Sequence, residues 1–159
     1  MTIATPPDDR SGQHRRLHRD TRRFYSSPFT LVGRLRSLRY AALGVWFVLR
    51  SQHNAWLHAM VTLTVLAVAF GLHFGVEPFT PGEWCDLIIA IVLVWVAETF
   101  NTGLEVLAAA IAEERHPVVK IAKDVAAAAV LLSAIGAATV GLVLFLPPIL
   151  TLIRQLIAY

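Results

Sequence analysis

Three polar side chains follow a purely apolar stretch, residues 87–97: Glu98, Asn101 and Glu105. Steps of three and seven from Glu98 put all of them on one face of a helix. A carboxylate within a membrane-spanning helix costs at least ~2.5 kcal/mol on insertion scales, so packing alone is a poor reason to keep two. They also repel, unless one is protonated or a cation lies between them. The bland alternative is a buried polar pair bonded to a neighbouring helix. Further on, Lys123 and Asp124 are expected to open the next helix. There a lysine can pair with phosphate oxygens, and helix N-terminal amides favour anions. Alone, the pair reads first as a snorkelling lysine beside an N-terminal aspartate. Taken together, carboxylates able to hold Mg²⁺, an amide and a lysine are the parts of a phosphoryl-transfer site. Glu105 lies nearest the basic segment that follows, so the face points to a cytosol-side cleft within reach of lipid. A lipid is therefore the expected acceptor. Neither a GxxxxGK loop nor a GxGxxG loop occurs, so ATP use does not follow from any general motif.

The elements that must position these residues belong in a membrane. Hydrophobic residues make up 56% of the 159 and charged residues 16%, with a mean hydropathy of +0.60. Soluble domains carry roughly 25% charged residues. A soluble enzyme, a disordered tail and a nucleic-acid module are excluded on that ground, despite an isoelectric point near 9.5. The lone Cys85 rules out an intrachain disulfide or a Cys-based zinc site.

Charge placement orders the spans. Ten of the 14 Lys and Arg residues fall between Arg10 and Arg50, and residues 51–114 contain none. Basic loops stay on the cytoplasmic side, which predicts a cytoplasmic N-terminus and an external C-terminus. Residues 1–30 read as a basic, flexible cytoplasmic arm near anionic head groups, without the apolar stretch of a cleavable signal. Residues 31–51 read as an amphipathic surface helix. Leu31, Leu35, Leu38, Ala42, Val45 and Leu49 form a stripe, while Arg34, Arg36 and Arg39 lie off it. Its apolar run, residues 40–49, would cover only about 15 Å of a bilayer core of about 30 Å. Three spans are expected at about 55–76, 84–112 and 120–146, the last ended by Pro147 and Pro148. On the third, Ala129, Ser133, Ala137 and Gly141 form a small-residue stripe suited to close helix approach. His58 and His73 read as polar ends of the first span, and the four tryptophans as interface or packing residues. Three spans bury little surface, so an oligomer is expected.

The string Ala97-Glu98-Thr99-Phe100-Asn101-Thr102-Gly103-Leu104-Glu105, then His116-Pro117 and Lys120-Ile121-Ala122-Lys123-Asp124, resembles the prokaryotic diacylglycerol kinase and undecaprenol kinase family. The likeness extends to Arg39-Tyr40-Ala41, Gly44, Asn54, His58 and Glu83-Trp84, and covers about residues 38–146. It implies an all-α integral membrane fold, a surface helix plus three transmembrane helices in a homotrimeric bundle, with sites at subunit boundaries. The implied location is the bacterial inner membrane. The implied activity is ATP- and Mg²⁺-dependent phosphorylation of diacylglycerol or undecaprenol, feeding phospholipid or lipid-carrier metabolism. The wording of the motif leans towards the undecaprenol branch. By position, Glu98 resembles the general base, and Asn101 and Glu105 the residues that handle phosphate and Mg²⁺. Lys123 resembles the phosphate-binding lysine, and Asp124, Glu114, His116 and Tyr40 nucleotide contacts.

Two positions depart from the family. It usually has glutamate at Gln52, beside Glu105 at the metal, and aspartate at Ala109. These departures motivate an alternative, a weakened pseudoenzyme that binds nucleotide or lipid. The two glutamates alone would also suit a small oligomeric channel or transporter.

Overall fold

A computed structural model of the chain describes residues 30–111 and 116–158, all of it helix and short connections. The basic arm up to residue 29, and Glu114 with its neighbours, lie outside the described residues. Among these residues four helices follow in order: α1 (Leu31–Ser51), α2 (His53–Gly75), α3 (Pro81–Ile111) and α4 (Pro117–Ile157). The last three are long and apolar enough to cross a membrane.

Two compact units meet within α1, between Ala42 and Leu43. In the first, Thr30 starts the helix by accepting the Gly33 N–H at its Oγ1 (3.2 Å). Its Leu31, Leu35, Leu38 and Tyr40 are all exposed.

In the second unit the main helix pairing is α3 against α4. Its core gathers at the α2–α3 turn, where Ala69, Leu72, Phe79, Leu87 and Leu144 are buried and Trp84 and Phe145 pack against them. His73 accepts the Phe79 N–H at Nδ1 (2.8 Å), which ties the turn to the end of α2. So His73 is a structural polar end, as the sequence suggests. The small-residue stripe of α4 faces inward at Ser133, Ala137 and Gly141, all half-buried, whereas Ala129 is exposed.

Local chemistry moves three helix ends from where the pattern put them. Helix α3 starts at Pro81 rather than 84, because Thr80 and Glu83 form a capping box. The Thr80 N–H donates to Glu83 Oε2 (2.6 Å) and the Glu83 N–H to Thr80 Oγ1 (3.3 Å), with proline at the first helical position. Helix α4 starts at Pro117, with His116 extended before it. Lys123 and Asp124 therefore lie nearly two turns inside the helix and do not open it. Nor does α4 end at Pro147 and Pro148. It runs through both to Ile157, with Pro148 buried. Two lost backbone N–H groups do not stop a membrane helix held by its neighbours; beyond them Thr151 Oγ1 donates to the Pro147 carbonyl (3.2 Å), the usual i−4 bond of a helical hydroxyl.

Candidate active site

One turn of α3 carries three buried polar side chains, Glu98, Asn101 and Thr102, each 6% exposed or less. The apolar run before them allows this: residues 87–97 carry the helix into the bundle, and the helical period then places Glu98, Asn101, Thr102 and Glu105 on one inward face. Opposite stands the start of α2. Gln52 is extended (φ −113°, ψ 124°) and breaks α1 from α2, so its side chain reaches α3 at the level of Glu105.

The contacts follow an antiparallel register. Gln52 Nε2 donates to Glu105 Oε2 (3.2 Å). His58 Nε2 lies 3.8 Å from Glu98 Oε2. Trp95 Nε1 donates to Thr62 Oγ1 (3.1 Å). Six and then four residues along α2 correspond to seven and then three back along α3, as two antiparallel helices with one facing seam require.

The two carboxylates sit in different surroundings. Glu105 is half-buried, and both its oxygens accept amide N–H groups, Oε1 from Asn101 Nδ2 (3.2 Å) and Oε2 from Gln52. Glu98 is buried, and its Oε2 has no hydrogen-bond partner. Asn101 Oδ1 and Thr102 Oγ1 are likewise buried without partners. Buried polar atoms are nearly always satisfied, so three orphans in one turn mark a place whose hydrogen bonds are not complete in the unliganded chain.

Among the described residues no three His, Cys, Asp or Glu side chains converge as a metal cage. Mg²⁺ rarely needs one: it is usually held by one or two carboxylates, with water and substrate phosphates. Glu105 with the amides of Gln52 and Asn101 is such an all-oxygen donor set once the amide oxygens turn inward. The free Oδ1 of Asn101 is already an acceptor without a donor.

The remaining sequence-predicted residues are more scattered. Lys123 and His116 are exposed, and neither bonds to the α3 cluster. Asp124 pairs with Lys120 (2.6 Å), one turn away, and not with Lys123. Tyr40, 63% exposed, belongs to the first unit. His58 lies five residues into α2, still near the polar end of the span. It is half-buried in the seam beside Glu98, and with Thr62 lines a cavity of about 360 Å³ among α2, α3 and α4. The available signal was that His58 and Thr62 are four apart in an apolar helix, on the side that must meet Glu98.

Buried and half-buried carboxylates and amides among three long apolar helices define a membrane-embedded protein with a polar site at one end of its spans. The chain belongs to the prokaryotic diacylglycerol kinase family, whose sequence pattern matches residues 39–145. It is 38% identical over 117 residues to a diacylglycerol kinase of Synechocystis sp., a match covering 73% of this chain and 64% of that protein. It is 31% identical over 112 residues to an undecaprenol kinase of Bacillus subtilis, covering 70% of this chain and 87% of the relative. No solved structure matches it.

Proposed function

We propose that the chain is a membrane lipid kinase, transferring the γ-phosphoryl group of ATP to the hydroxyl of a diacylglycerol or undecaprenol at the cytoplasmic membrane surface. The observation that carries this reading is the pairing of two unlike carboxylates on one face of α3, Glu98 buried with an unpartnered oxygen and Glu105 held by two amides. Family membership supports the reaction class, and the names of the two relatives supply the candidate acceptors.

In the proposed reaction the lipid oxygen bonds to the γ-phosphorus while the bond to the bridging oxygen breaks, and Glu98 takes the hydroxyl proton. A carboxylate held in place by the seam can accept it as a general base. Glu105, with Gln52 and Asn101, would hold Mg²⁺, which when bound supplies charge neutralisation at the phosphates. Lys123 neutralises charge developing on the transferred group, and Tyr40, Glu114, His116 and Asp124 contact the nucleotide. The working form is a homotrimer in the bacterial inner membrane, with α1 on the cytoplasmic surface, the N-terminus inside and the C-terminus outside.

The test is transfer of labelled phosphate from ATP by the detergent-purified protein, with diacylglycerol and undecaprenol offered in parallel. Product on either lipid, lost in Glu98→Gln, supports the kinase and names its acceptor. One observation favours a second reading, a weakened enzyme: Gln52 presents a neutral amide to Glu105 where a carboxylate would add charge. A folded trimer that binds nucleotide but transfers no phosphate would support it.

A further inference from the structure

Glu98 and Glu105 share a face, yet only Glu105 has hydrogen-bond donors. Both its oxygens are served by amides, while Glu98 Oε2, fully buried, has none. The nearest basic group is the His58 imidazole, with Nε2 at 3.8 Å. That separation is about 1 Å too long for a charge-assisted hydrogen bond of about 2.8 Å. Catalytic hydrogen bonds are often long in unliganded proteins and tighten when substrate arrives.

The imidazole is held where such tightening needs little motion. Its ring meets the Trp95 ring edge-on, with centroids 6.4 Å apart. Trp95 is in turn pinned by its bond to Thr62, one turn beyond His58 on the same helix. Thr62, Trp95, His58 and Glu98 thus form one interlocked step of the α2–α3 seam.

We propose that His58 is a positioning residue for Glu98: its Nε2–H supplies the one donor Oε2 lacks and turns the other carboxylate oxygen to the lipid hydroxyl. The assignment rests on the kinase reading above and adds a residue from α2 to it. His58 touches neither phosphate nor lipid in this role and acts through Glu98 alone.

The experiment compares His58→Gln with His58→Met in the full-length protein in detergent. Both side chains are flexible and of similar volume, and only glutamine keeps a donor. A misplacement of about 1 Å can slow a reaction about 10²-fold. His58→Met is therefore expected to lower kcat for lipid phosphorylation about 10²-fold with KM for ATP unchanged, and His58→Gln to stay within about tenfold of the native chain. In a Glu98→Gln background neither substitution should lower the residual rate further, since residues acting as a unit are non-additive. Native rates in His58→Met would overturn the assignment. So would equal losses in both variants with a lowered thermal midpoint, which would mark His58 as packing only. Absence of lipid product from the native chain would overturn the kinase reading and this assignment together.

Discussion

Two glutamates seven residues apart sit in different surroundings because different neighbours reach them. Glu98 sits deep in the seam, faces an imidazole and has an oxygen without a partner. Glu105 sits at the end of the seam, where Gln52 and Asn101 aim amides at it. Glu98→Gln should lower the transfer rate by about 10²–10⁴-fold, the usual share of a general base, and leave nucleotide binding intact. Isothermal titration with a non-hydrolysable nucleotide, run beside the kinetic assay, checks both halves. Gln52→Glu restores the second carboxylate beside Glu105. Added ligand charge tightens binding of hard cations, so the Mg²⁺ concentration for half-maximal activity should fall about tenfold.

Helix packing sets how firmly these residues are held. The Thr62–Trp95 hydrogen bond ties α2 to α3 next to the site. Interhelical bonds of this kind are worth about 0.6 kcal/mol on average within membranes, so Thr62→Val should lower unfolding stability in detergent by about that amount. Ala137 is half-buried on α4 and lines the cavity shared with α2 and α3. Filling a cavity with apolar atoms commonly adds about 0.5–2 kcal/mol. Ala137→Leu should therefore raise the thermal midpoint in detergent where Thr62→Val lowers it, and a thermal melt of each variant will show both signs.

At the scale of the whole molecule, apolar side chains such as Leu63, Phe100 and Leu132 stay about 70% exposed, as befits helices surrounded by lipid or by further copies of the chain. Lys123 makes no bond to the α3 cluster within one chain. If the site is completed across subunits, mixing Glu98→Gln with Lys123→Ala chains should restore activity that neither has alone. A sum no greater than the two separate rates would place the whole site in one subunit.

Much of this is legible in the sequence. The apolar periods set three spans, and the run of residues 87–97 followed by Glu98, Asn101 and Glu105 set a polar face, because burial and the helical repeat act through near neighbours in the chain. Helix ends were less legible, since the capping box at Thr80 and the tolerance of Pro147 and Pro148 depend on single hydrogen bonds and on packing. The partners of the polar face were settled only by tertiary structure. Gln52 meeting Glu105, and His58 meeting Glu98, follow from the register of two antiparallel helices. Sliding one helix a single turn would keep every hydrophobic period and change every partner.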